Sequence, residues 1–360
     1  MLDLKIRKKQ IDLLERLTNA VAVSGDEGEV RRIVLEAVRN LADEIQVDAM
    51  GNVLVTRRGS APQRVRAMLA AHMDEVGFML VADDGDGIYQ FRPVGGLDQR
   101  HLVGKPVLVG KDHLPGVIGA CPIHLTTPDE RKRPIPLESL RIDLGPDGHA
   151  KPGDRATFAT RFRRAGPSIM AKAIDNRIGV ATLIELLRNA PENVDLLLAF
   201  TVQEEVGLRG ARVAAYAFNP DLAIALDSTP ANDMPPYDED DENVAYNTKL
   251  GGGPAIYVAD RATLADPRLV RWLAETGDAE AIPYQFRQPG GGGTDAGAMH
   301  LVREGVPAVS VSVPGRYAHT AVGLARIADW ENTLRLLRAA LARLTPDLLA
   351  GERAGYGLNS

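Results

Sequence analysis

Apolar residues at Ile11, Leu14, Leu17 and Val21 recur at helical spacing, so the chain opens on an amphipathic helix within residues 6–21. Ser24-Gly25-Asp26-Glu27 then reads as a capping box, with Ser24 as N-cap and Glu27 three residues on. Behind it, Val30, Ile33, Val34, Ala37, Val38 and Leu41 form the buried stripe of a second helix. After Gly51-Asn52, residues 53–56 and 65–71 read as strands. The texture changes over residues 75–164. Helical periodicity stops, and short β-branched runs (76–82, 88–91, 106–110, 116–120, 156–160) alternate with Gly, Pro and Asp clusters. The charged run at 128–136 reads as a solvated loop of that segment.

From Ile169 strand and helix alternate again. Helices are expected over 176–189 and 267–276, and strands over 195–202, 221–227, 282–287 and 306–313. A last helix, capped by Asp329, carries Trp330, Leu334, Leu337, Leu341 and Leu344 on one face. Such alternation implies a mixed α/β sheet covered by helices on both faces. The economical organisation is one α/β catalytic domain made of residues 1–74 and 165–360, split by a small β-barrel-like domain at 75–164.

Composition then narrows the chemistry. The 360 residues hold 42 Lys plus Arg against 48 Asp plus Glu, a net charge of −6, with no basic block of the kind a nucleic-acid binder carries. The N-terminal cations have no apolar stretch behind them as a signal peptide would, and no apolar run has bilayer length. A cytoplasmic protein with no membrane or nucleic-acid partner is expected. With one cysteine, Cys121, Cys-rich zinc sites are excluded, and any metal must be held by imidazoles and carboxylates. Cys121 itself is expected to be a packed, unreactive thiol.

Chemistry-bearing residues gather where predicted strands run out: His72 and Asp74 after 65–71, Glu204 and Glu205 after 196–202, Asp227 closing 222–226, and His319 beyond 306–313. The crevice past the carboxyl ends of strands is where α/β sheets bind ligands. Taken singly, each has an ordinary explanation: a loop histidine, a solvated acidic pair, a turn aspartate, or, for Asp175-Asn176, a helix start. The spacing His72-x-Asp74 lets Asp74 meet the ring's second nitrogen. Two adjacent carboxylates at the buried end of a strand repel each other unless a cation is present. A pair of divalent ions about 3.5–4 Å apart needs a bridging carboxylate and N/O ligands on each side. Asp175, Glu205, Asp227, His72 and His319 can fill that set, with Glu204 left over as a base.

The motifs that carry these residues run in order along the chain. They are Ala71-His72-Met-Asp74-Glu75-Val-Gly, Lys172-Ala-Ile-Asp175-Asn176-Arg177 and Thr201-Val-Gln-Glu204-Glu205-Val-Gly-Leu-Arg-Gly, then Ala225-Leu-Asp227, Gly291-Gly-Gly-Thr294-Asp295-Ala296-Gly and Val313-Pro-Gly-Arg316-Tyr317-Ala-His319-Thr. In these the chain resembles the dinuclear metallo-aminopeptidases of the glutamyl, deblocking and tetrahedral (TET-type) group, some of which bear the older label endoglucanase M. The resemblance implies that Asp175 bridges two divalent ions, zinc or cobalt first and manganese as a third candidate. His72 and Asp227 would complete one ion, and Glu205 and His319 the other. It implies Glu204 as general base, Asp74 as the partner that orients His72, and hydrolysis of the N-terminal peptide bond of short peptides by a water activated between the metals. It also implies a homo-oligomer, specifically a dodecamer. Thr294-Asp295 resembles a substrate-side loop and is expected to line the site.

Two features depart from that pattern. The acidic stretch Asp238-Glu239-Asp240-Asp241-Glu242 reads first as a solvated loop, and otherwise as a selector for basic substrates or a metal reservoir. Gly315 and Ala318 are smaller than expected, which implies a roomier wall near His319. Three rivals differ in testable ways. A carboxypeptidase or deacylase on the same fold would read a different substrate terminus. A glycosidase would want aromatic platforms, but aromatics are 5% and Trp272 and Trp330 fall on predicted helix faces. A scaffold protein would have lost a ligand or Glu204.

Overall fold

The computed structural model describes residues 4–235, 248–287 and 290–350. The acidic stretch at 238–242 lies outside the described residues. Two helices open the chain, α1 (Lys8–Asn19) and α2 (Gly28–Val38), followed by strands β1 (Glu44–Val47), β2 (Val53–Arg57) and β3 (Val65–His72). Six strands then close into an antiparallel barrel: β4 (Gly77–Gly85), β5 (Ile88–Val94), β6 (Pro106–Val109), β7 (Leu114–Gly119), β8 (Arg141–Asp143) and β9 (Arg155–Phe158). The chain returns through β10 (Arg163–Ala165), β11 (Ser168–Ala171), α3 (Ile174–Arg188), β12 (Val194–Thr201), α4 (Arg209–Phe218) and β13 (Leu222–Pro230). It continues with β14 (Ala255–Tyr257), α5 (Pro267–Ala279), β15 (Gln285–Arg287), α6 (Ala296–Met299), β16 (Ala308–Arg316), β17 (Gly323–Arg326), α7 (Ile327–Arg343) and α8 (Asp347–Ala350).

The large sheet is mixed, with order β1-β2-β12-β3-β13-β16-β17-β11-β10, and β14 and β15 branch from β16. Its centre, β12-β3-β13-β16, is parallel, and the flanking pairs are antiparallel. The central strands read as unbroken apolar runs because both of their faces are covered. Alternate residues divide between two cores. Leu69, Leu198, Ile224 and Val311 pack under α1, α2, α3, α5 and α7, whereas Ala70, Ala199, Ala223 and Ala308 face α4 and α6. The alanines on the second face let α4 and α6 lie close to the backbone. The barrel has a core of its own, centred on Phe78, whose ring meets Phe91 and Phe158 edge-on at 5.1 and 5.4 Å between centroids.

The α/β architecture with a barrel is the one the hydrophobic pattern predicts, and several local expectations need correcting. Ser24 does not cap α2, which starts four residues later with Glu27 at its N-cap position. The Ser24 hydroxyl instead donates to Asp74 at 2.6 Å, while Glu27 folds back on the Gly25 N–H. Asp329 lies inside the first turn of α7, and its carboxylate accepts the N–H groups of Gly251 and Gly253. Cys121 is exposed rather than packed, because it follows β7 into a surface segment whose apolar residues Ile123 and Leu125 are themselves solvated. Asp227 does not end its strand, since β13 runs on to Pro230 beside β16. The edge strand β1, whose residues are mostly exposed, and helix α4, whose buried Ala211, Ala214, Ala215 and Phe218 do fall at helical spacing, were not among the expected elements.

Candidate active site

The carboxyl ends of β12, β3 and β13 and the first turn of α3 bring the residues of four motifs together. His72 is the last residue of β3, opposite Thr201 of β12. Its Nδ1 donates to the Asp74 carbonyl at 3.2 Å and lies 3.5 Å from Asp74 Oδ1, so the backbone of Asp74 shares the orienting role expected of its side chain. Nε2 is thereby left to face inward, 3.2 Å from Asp175 Oδ1, 3.5 Å from Asp227 Oδ1 and 3.9 Å from Glu204 Oε2. Asp175 and Asn176 have non-helical dihedrals in the first turn of α3, and the Asn176 amide is tied to the Leu226 carbonyl at 2.8 Å beside Asp227.

On the other side, His319 has positive φ in the loop after β16, and its Nδ1 donates to the Gly96 carbonyl of the barrel segment at 2.8 Å. Its Nε2 then lies 3.3 Å from Glu205 Oε2 and 3.6 Å from Asp175 Oδ2. The two oxygens of Asp175 therefore face different imidazoles. Among the described residues, ligand atoms of His72, Asp175 and Asp227 fall within 4.8 Å of one another, as do those of Asp175, Glu205 and His319, and those of His72, Glu204 and Glu205. His101, His113, His124, His149 and His300 belong to none of these groups.

So many acids in one enclosure disturb each other's protonation. Burial, joined by the charges of Asp227, Glu205 and Asp295, holds Glu204 well above the ordinary carboxylate range. Burial and the neighbouring Asp175 push Glu205 up to about 8 and Asp227 up to about 6. Asp175 goes the other way. Burial opposes its ionisation, but the contacts with His319 and His72 outweigh it and hold the carboxyl far below its usual range. His319 rises to about 10, first through its contact with Asp175 and then through the charge of Glu205. An all N/O donor set with surplus negative charge, in which Asp175 Oδ1 is buried without a hydrogen-bond partner, fits hard or borderline divalent cations.

Supporting residues escaped the sequence reading. Asp74 takes the hydroxyl of Ser24 and the backbone N–H groups of Glu204 at 3.0 Å and Glu205 at 3.2 Å, which fixes the turn carrying both acids. Buried Glu75 gathers Lys172, Arg177, Thr157 and the Ala22 N–H behind the site, and Arg177 donates to the carbonyls of Met73 and Asp74. Their positions inside the motifs were a signal, but their partnership was not. Nothing in the sequence points to Gly96. Asp295, expected with Thr294 to line the site, is as buried as His72 and is bonded to Thr201. The cavity beside Asp175 and His319 is walled by Gly315, Arg316, Tyr317 and Ala318, where the two small residues were noted.

Residues 51–336 match the profile of the family described as M42 glutamyl aminopeptidase. The chain belongs to that family. Lysyl aminopeptidase of Pyrococcus furiosus is 33% identical over 349 residues, 93% of this chain and 97% of the relative. The TET aminopeptidase structure of Thaumarchaeota archaeon SCGC AB-539-E09 superposes with a TM-score of 0.90 at 32% identity, covering 95% of this chain and 98% of that one. The Pyrococcus horikoshii TET1 peptidase, described as assembling into a tetrahedron or a large octahedral shell, has a TM-score of 0.81 at 32% identity, with 93% and 100% covered. The protein is thus a peptide-hydrolysing enzyme of the M42 aminopeptidase family, with a cluster of possible metal ligands at its sheet ends. Among the described residues, no helix is long and apolar enough to cross a membrane.

Proposed function

We propose that this enzyme is a dinuclear-metal aminopeptidase that removes the first residue from short peptides with a free N-terminus. The observation that carries the reading is Asp175, whose two oxygens face separate ligand groups, one with His72 and Asp227 and the other with Glu205 and His319. These five residues would hold the two ions, zinc or cobalt first and manganese as the third candidate. When bound, such a pair supplies Lewis acidity, lowering the pKa of water and polarising the scissile carbonyl.

The rest is the work of the chain's own residues. Glu204, held out of solvent beside the ligand set, takes the proton of the attacking water and returns it to the leaving amine. Asp74 keeps His72 turned inward and fixes the Glu204 backbone. Surplus acidic charge favours a cationic α-amino group over a substrate carboxylate, which supports an aminopeptidase over a carboxypeptidase. The named assemblies of the TET relatives support a homo-oligomer, and we assign a dodecamer. A cytoplasmic place fits the lone cysteine.

The test is a metal analysis of freshly prepared enzyme joined to a panel of aminoacyl p-nitroanilides and N-acetylated controls. Each substrate is assayed after chelation and restoration of zinc, cobalt or manganese. Two ions per chain and cleavage restricted to free N-termini are expected. A single ion in fully active enzyme, or equal cleavage of acetylated substrates, would overturn the reading.

A further inference from the structure

Asp295 is buried at the start of α6, outside the metal-ligating groups yet within electrostatic reach of Glu204 and Asp227. One oxygen, Oδ2, accepts the Thr201 hydroxyl at 2.6 Å. The other, Oδ1, is buried without a hydrogen-bond partner. A fold that needed only an acceptor for Thr201 could use a neutral one and avoid desolvating a charge.

Thr201 is a junction. It ends β12 opposite His72, its carbonyl takes the Met73 N–H at 2.7 Å, and three residues later Glu204 is tied to Asp74. The loop that presents Asp295 is fixed on the far side by Thr294, whose hydroxyl meets Ser310 of β16 at 2.7 Å. It therefore reaches from β16 to β12 across the ends of the strands that carry His72 and Asp227.

We propose that Asp295 is a positioning residue, acting through Thr201 to hold the strand end that delivers Glu204. This rests on the aminopeptidase reading given above. The strand end leads into Glu204, so loss of the contact should misplace the base and act on turnover more than on binding.

The experiment compares metal-loaded Asp295→Asn, Thr201→Val, Thr201→Ser and the double variant Asp295→Asn/Thr201→Val on leucine p-nitroanilide. The first two are expected to lower kcat by ~10–100-fold, with KM and metal content unchanged. The double variant should be no slower than Thr201→Val alone, because without the hydroxyl the Asp295 change has no contact left to weaken. Thr201→Ser, which keeps the hydroxyl, should return kcat close to wild type. Wild-type kcat in Thr201→Val, additive losses in the double variant, or losses confined to KM or metal content would each overturn the proposal. If Asp295→Asn does not fold, the Thr201 pair still decides it. Failure of the site reading looks different, since wild-type enzyme with its metals restored would then not cleave the substrate at all.

Discussion

Asp74 accepts the backbone N–H of Glu204 at 3.0 Å, so the residue that lies against the His72 imidazole also anchors the acid assigned as general base. Its other oxygen receives the Ser24 hydroxyl at 2.6 Å and the Glu205 N–H at 3.2 Å. These bonds, with the His72 contact, overcome burial and hold the carboxyl below its ordinary range. In Asp74→Asn, the amide's NH₂ would be turned toward donors at one of those positions. Activity should fall about 10–100-fold and metal affinity by a similar factor, the usual effect of losing a partner behind a metal ligand. Chelator competition together with steady-state kinetics checks both. Ser24→Ala, which removes one neutral donor and leaves the two N–H bonds, should cost less.

Glu204 and Glu205 are neighbours in sequence for which we propose separate tasks, base and metal ligand, and substitution should separate them. Glu204→Gln keeps the shape of the site and is expected to retain both ions while losing about 10²–10⁴-fold in kcat, the range for a missing general base. Glu205→Gln should instead lose metal from the His319 side, and added metal should partly restore its activity. Metal content measured beside kcat distinguishes the two. A fully active Glu204→Gln would mean that the proton goes elsewhere.

The sequence made the strand ends legible because each central strand is an apolar run that stops at a polar residue. A sheet buried on both faces gives such runs, and although a polar residue after one is ordinary, several after neighbouring strands mark a shared crevice. His72 and Glu204 announced themselves in this way. What stayed hidden was pairing across distance. Ser24 has the local signature of a cap, and Ser24-x-x-Glu27 satisfies it as text, but the stronger acceptor is Asp74, fifty positions away in sequence. Gly96 contributes only a carbonyl, and every residue has one. Asp295 looked like a loop residue because four glycines stand just before Thr294, whereas its carboxylate is buried against the Thr201 hydroxyl.

Behind the site, Glu75 holds Lys172 Nζ at 2.8 Å from both of its oxygens and Arg177 Nη2 at 3.1 Å, all three side chains being almost fully buried. It also takes the Thr157 hydroxyl, which joins β9 of the barrel to the large sheet. Glu75→Gln would leave two buried cations without their carboxylate. Removing one partner of a buried pair costs about 3–5 kcal/mol, which for a chain of this length corresponds to a fall in Tm of about 4–7 °C. Calorimetry of the variant checks the size. The difference should survive 0.5 M salt, because screening acts weakly on buried charge. A salt-sensitive or negligible change would show that water reaches the cluster.

The same crowding of acids sets how the metal-free enzyme responds to pH. Glu205 near 8, Asp227 near 6, Asp295 near 7 and His319 near 10 all lie above their ordinary values. Between pH 5 and pH 8 the folded chain therefore binds more protons at these groups than the unfolded chain, and stability must fall as pH rises. Their contribution is complete below the unfolded pKa of each group and disappears as pH climbs through the folded value. Asp175, held low, is ionised in both states across this window and does not offset the trend. Bound divalent ions replace those protons, so metal uptake should release protons and tighten as pH rises. The expected record is a Tm that drops from pH 5 to pH 8 in chelated enzyme and a much flatter one after metal is restored. Titration calorimetry in buffers of different ionisation enthalpy should show protons leaving at pH 7. A metal-free Tm that rises across that interval would mean that the carboxylates are already ionised and paired without a metal.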